Sequence, residues 1–225
     1  MSVEGAAASL ASAGISAVFS FLVFQQWLAR RKTYQMAWTI GLAMFSVAAL
    51  MQFFSEAYSW SVGIYKVYYF LAAPLVAVLG VGSAFLAGRR LGLALSVYTA
   101  ILAVAFAWVV ATATVNVAAF QLPLPAGQGF DASVRIWSPL FTVPGSLALI
   151  GIALYSFWRT RFVFNLWIAA GAIVAAASGS LATFGVTWAL YLGELFGIAL
   201  MFWGFLASRE PTPASNRSSE EVPST

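Results

Sequence analysis

Cysteine and histidine are both absent from this chain, and charge is scarce: 8% of its 225 residues are charged against 62% hydrophobic. Without a thiol or an imidazole there is no disulfide, no thiolate nucleophile, no histidine-ligated haem and none of the usual zinc sites. The HExxH metalloprotease motif and a Ser-His dyad are excluded on the same ground. No metal and no cofactor are therefore expected, and an enzyme is the least favoured class. A soluble domain has roughly a quarter of its residues charged, so a chain this apolar must use lipid as its solvent.

What is abundant is long apolar blocks. A block of about 20 residues crosses the roughly 30 Å hydrocarbon core as a helix, and the sequence holds seven. They run from about Leu10 to Ala29, Tyr34 to Phe54, Gly63 to Ala87, Leu91 to Ala113, Ser138 to Phe157, Phe162 to Phe184 and Trp188 to Ala207. The longest connection, through Pro123, Pro125, Gly127, Gly129, Asp131 and Arg135, reads as a loop on its Pro/Gly punctuation. The expected fold is an all-α polytopic membrane bundle over residues 1–207. Residues 208–225, rich in Pro, Ser and Glu, form a tail too polar to order itself.

The net charge of +4 is a topology signal rather than a nucleic-acid one. Arg30, Arg31, Lys32, Arg89, Arg90, Arg159, Arg161 and Arg209 fall in alternate connections, and the other side has only Lys66 and Arg135. Basic loops stay in the cytoplasm, which predicts the N-terminus outside and the C-terminal tail inside. Glu4 is the only charge before Arg30, so there is no basic region of a cleaved signal and span one is read as uncleaved. Trp27, Trp38, Trp60, Trp137, Trp158 and Trp188 lie near span ends, as interfacial aromatic belts do. The expected location is a prokaryotic plasma membrane, crossed several times.

An internal repeat is also suggested. Phe24 to Arg31 leading to Trp38 resembles Tyr155 to Arg161 leading to Trp167, and Ala84 to Arg89 resembles Gly204 to Arg209. Three spans, an inverting fourth and three more would form a parallel three-one-three repeat, a scheme known in transporters. Two helical hairpins with Trp and Arg at one interface would look similar without duplication.

Glu194 is the most informative residue, because it sits inside span seven. A carboxyl there is protonated, paired or facing a wet cavity; intramembrane ionisable groups are functional by default, and the alternative is a carboxyl hydrogen-bonded to a neighbouring helix to fix packing. Gly193 and Gly197 flank it with a small-residue face that admits a close neighbour. Around the outer end Tyr191, Glu56, Lys66, Tyr65, Tyr68 and Tyr69 could line an outward-facing pocket; Tyr65, Tyr68 and Tyr69 share one helical face. Tyr and Lys at span starts also serve as plain interfacial anchors. Pro74, Pro139 and Pro144 can kink spans three and five, and Gly171, Ala175 and Gly179 read as a packing stripe in span six.

Absences narrow the families. A microbial rhodopsin attaches retinal to a lysine of its last span, and span seven has none; a PQ-loop transporter would carry a Pro-Gln dipeptide, and none occurs. Two readings lead, with a transferase that uses Glu194 alone as a distant third. The first is a small transporter or ligand-binding membrane protein with Glu194 as its proton or ligand carboxyl. The second is a non-catalytic membrane subunit or scaffold that acts through helix-helix partners or as a homo-oligomer. The bilayer is the partner common to both, and no nucleic acid is expected.

Overall fold

The computed structural model describes residues 3–121, 127–184 and 186–209. Pro123, Pro125 and the tail beyond Arg209 lie outside the described residues. Helices α1 (Val3–Arg30), α2 (Thr33–Ala57), α3 (Val62–Ala72), α4 (Leu75–Ala87), α5 (Arg89–Thr112), α6 (Ala132–Arg135), α7 (Trp137–Thr160), α8 (Val163–Thr183) and α9 (Thr187–Ala207) follow in order, with a 3₁₀ turn at Val117–Gln121. Together they make seven helical segments long and apolar enough to cross a membrane. The fold is that of an all-helical membrane bundle.

Backbone chemistry explains the interruptions. Span three is split into α3 and α4 at Pro74, which has no N–H for the Phe70 carbonyl and caps α4 instead. Span five starts earlier than its apolar block suggests, with the one-turn α6 separated from α7 at Ile136. Pro144 lies inside α7. α1 and α7 both end on an arginine in the left-handed region, Arg31 (φ 51) and Arg161 (φ 58). Each arginine donates its N–H to the carbonyl four residues back, and each is followed by an extended residue, Lys32 or Phe162. The α1–α2 and α7–α8 turns thus have the same conformation.

Packing arranges six spans in a ring. α1 packs on α2, α2 on α4, α4 on α7, α7 on α8, α8 on α9, and α9 returns to α1. α5 stands outside the ring against α4, α3 and α7. Exchanging spans one to three with five to seven leaves the order of the ring unchanged, whereas α5 packs on spans three and five alone among the closely packed pairs. Small residues set the closest approaches. A Cβ on Gly80 would come within 2.6 Å of the Gly145 carbonyl oxygen, and one on Gly171 within 2.5 Å of that of Gly197.

The α8 seam differs from the expected stripe at one point. Gly171, Ala175 and Ser178 meet α9, whereas Gly179 has nothing within 4 Å of where a Cβ would stand. At 3.6 residues per turn, a step of seven from Gly171 returns closer to the same face than a step of eight. Trp38 likewise departs from the interfacial belt. It is 8% exposed, tilted against Phe19 at 6.1 Å, and laid over Gly82, where a side chain would collide with the indole. Trp158 and Trp188, at 67% and 66% exposed, keep belt-like positions.

One end of the bundle carries Arg30, Arg31, Lys32, Arg89, Arg90, Arg159, Arg161 and Arg209; among the described residues every carboxylate belongs to the opposite half. The orientation this implies is testable at the two ends of one span. Ser133 and Thr160 are both exposed, and the chain has no native cysteine. Ser133→Cys in intact cells should react with an impermeant maleimide, and Thr160→Cys should react only after the membrane is opened. The reverse pattern would invert the assignment.

Candidate functional site

Glu194 lies two turns into α9, one turn below Tyr191, and the two side chains reach toward α2. α2 answers with a matching pair one turn apart, Gln52 and Glu56. The Tyr191 hydroxyl donates to Glu56 Oε1, and the Gln52 side chain hydrogen-bonds to the Glu194 carboxyl. A primary amide has two N–H groups. Through Nε2, Gln52 donates to the Tyr68 hydroxyl of α3 at 2.9 Å. Gln52 and Tyr68 are 4% and 3% exposed. α2, α3 and α9 are thereby joined by side chains, although α2 and α9 are not among the closely packed helix pairs.

The composition of this cluster matters more than its size. Two carboxyls, two phenols and one amide meet there. Their oxygens can share protons or bind a cation through hard donors. Among the described residues no group of three or more carboxylates gathers in a way that could hold a metal ion.

The structure divides the sequence candidates in two. Glu194, Tyr191, Glu56 and Tyr68 come together. Lys66, Tyr65 and Tyr69 take other tasks. The Lys66 ammonium donates to the Ala111 carbonyl at 2.8 Å, at the C-terminal turn of α5 where backbone carbonyls lack helical partners. The Tyr65 hydroxyl accepts the Gly129 N–H at 2.9 Å, and its ring packs on Trp60, Phe120 and Phe130. Gly129 is required there, since a Cβ would stand 2.7 Å from the Tyr65 ring. Tyr69 packs between Phe106 and Phe130. These two tyrosines tie the long loop onto α3.

Sequence reasoning missed Gln52 and a serine stripe. Ser9, Ser12, Ser16 and Ser20 recur three and four apart on α1 and are 8% exposed or less. Ser16 and Ser20 bond to backbone carbonyls, while Ser9 Oγ and Ser12 Oγ have no partner among the described residues. Phe19 contacts Phe202 and Phe205. Spans one and seven run parallel, so about ten residues back along each helix, at ~1.5 Å per residue, Ser9 is level with Gly193 and Glu194. Ser55, next to Glu56, also has an unpartnered Oγ at 5% exposure. The serine spacing was readable as one helical face; Gln52, in an ordinary apolar run, gave no signal.

The described cavity lies at the other end. A cleft of about 580 Å³ opens among α1, α2, α4, α8 and α9 at the basic end. Comparison with protein-family models, with curated proteins and with solved structures finds no match to this chain.

Proposed function

We propose that this membrane bundle is a small transporter or ligand-binding membrane protein of a prokaryotic plasma membrane, with its N-terminus outside and Glu194 as its proton- or cation-handling carboxyl. One observation carries the reading: two glutamates on different spans, Glu194 and Glu56, belong to a set of side chains that all exchange protons or hydrogen bonds readily. Gln52, Tyr68 and Tyr191 complete the set. Glu56 sits one residue from the end of α2 and Glu194 two turns deep in α9, so the group leads from the membrane surface inward. The paired neighbour pattern of spans one to three and five to seven, and the matching turns at Arg31 and Arg161, support a duplicated three-one-three architecture with α5 as the inverting span.

The scaffold reading asks small-residue faces to remain free for a partner. The seams at Gly193, Gly197, Gly171 and Ala175 are instead used between α8 and α9 of the same chain, which favours the first reading.

The test is solute-driven pH change in proteoliposomes that hold a trapped pH indicator. Small organic cations, amino acids and sugars are each applied to wild type and to Glu194→Gln. A solute that moves the internal pH with wild type and leaves it still with the variant is the expected result. A solute transported equally well by both proteins, with no pH change, removes Glu194 from the mechanism.

A further inference from the structure

The cleft at the basic end is unlike the acidic cluster in every respect. It is lined by Arg30 from α1 and Arg209 at the end of α9, and among the described residues no carboxylate lines it. The acids nearest in sequence, Glu210, Glu220 and Glu221, lie beyond the described residues. Arg209 is held over the Phe205 ring at 5.4 Å, a cation-π contact that fixes the guanidinium at the rim without neutralising it.

Deeper in, Gln35 also lines the cleft. It is 1% exposed, and both its Nε2 and its Oε1 lack any hydrogen-bond partner among the described residues. One turn further along α2, Trp38 leaves its indole N–H unpartnered as well. Buried polar groups are nearly always satisfied, so an orphaned amide on a cavity wall marks where a partner of complementary polarity belongs. Across the cleft Asn165 stands at the equivalent position of the α7–α8 turn. Gln35 and Asn165 each follow the extended residue by three, and each donates its backbone N–H to that residue's carbonyl at 3.1 Å. The two matching turns therefore place two amides on one cavity.

We propose that this cleft binds an anionic headgroup of the phosphoglycerol type: a phosphoryl group held by Arg30 and Arg209, with a hydroxyl that donates to Gln35 Oε1. Arginine forks suit phosphate oxygens, and the free amide acceptor requires a donor on the same ligand, which a bare phosphate ester lacks and a glycerol supplies. The volume, about 580 Å³, lies in the range of roughly 300–1,000 Å³ usual for small-ligand pockets. The apolar part of the wall, including Ile168 and Phe205, accommodates the carbon skeleton. The headgroup can arrive on a phospholipid of the adjoining leaflet or as a free glycerol phosphate.

The experiment uses the full chain in nanodiscs. In phosphatidylcholine discs doped with phosphatidylglycerol, native mass spectrometry should find phosphatidylglycerol retained by wild type. In discs of phosphatidylcholine alone, added glycerol 3-phosphate should raise the melting temperature if the soluble form is the ligand. Either result supports the site and identifies the source. Arg30→Gln with Arg209→Gln should weaken retention or the thermal shift by at least about tenfold. Gln35→Leu should weaken binding while leaving the unliganded protein as stable as wild type or more so, since it removes an orphaned buried amide; a merely structural glutamine would not separate those two readouts. Arg89→Gln with Arg90→Gln, at the same end but off the cleft, is the control. Equal loss with the control pair means diffuse attraction of the basic end to anionic lipid and overturns the proposal, as does failure of both probes to bind.

Discussion

Gly197→Leu should unfold this protein in detergent at a markedly lower temperature than wild type. Gly197 faces α8 so closely that a Cβ would stand 2.8 Å from the Gly171 carbonyl oxygen and 2.9 Å from the Ala175 Cβ. Backbone cannot swing aside as a side chain can, so α8 and α9 must separate. Their seam is the most extensive helix contact in the bundle. Overpacking a core costs about 1–3 kcal/mol and occasionally more, and a backbone obstruction puts this case at the upper end. Leu192→Ala, on the lipid-facing side of α9 at 39% exposed, is the control and should change little. Thermal unfolding of both variants in one detergent checks the claim. Equal, small shifts would mean that the α8–α9 seam does not hold the bundle together.

The second large effect is expected at Glu194. Replacement by leucine takes away the Gln52 side chain's partner on α9, and a stranded buried group costs about 1–3 kcal/mol. Glu194→Gln keeps an acceptor oxygen in the same place and should cost much less. Equilibrium unfolding in mixed micelles separates the two substitutions. If leucine is as stable as glutamine, the Gln52 contact contributes nothing to the fold.

Much of this architecture is legible in the sequence because lipid leaves so few options. Only helices satisfy their own backbone in hydrocarbon, so seven apolar blocks translate directly into seven helical segments. Arg30 to Lys32, Arg89 with Arg90, and Arg159 with Arg161 mark the turns at one end. Glu194 is equally plain, since a carboxyl inside an apolar block stands out whether it serves packing or chemistry. Its partners are harder to read. Gln52 is uncharged and lies within Met51-Gln52-Phe53-Phe54, and only the register of α2 against α9 shows that it meets Glu194 and Tyr68.

Other features depend on distances that sequence does not carry. Lys66 and Tyr65 look like pocket residues by position, yet the α5 terminus and the Gly129 loop claim them. Trp38 looks like a belt residue until Gly82, 44 positions later, is found opposite its ring. Gly179 is one position off the seam because helical phase drifts along α8. The basic-end cleft needed five helices to be placed before Arg30, Gln35 and Arg209 could be seen to share it.

The central claim, that Glu194 exchanges protons, is tested most directly by infrared difference spectroscopy of the reconstituted protein through a pH titration. A buried carboxylic acid has a carbonyl band well separated from the amide region. In wild type, part of that band should appear and disappear with pH and should be missing from the Glu194→Gln difference spectrum, while Glu56→Gln leaves a pH-dependent component assignable to Glu194. Difference spectra of wild type and Glu194→Gln that coincide across the whole titration would contradict the account.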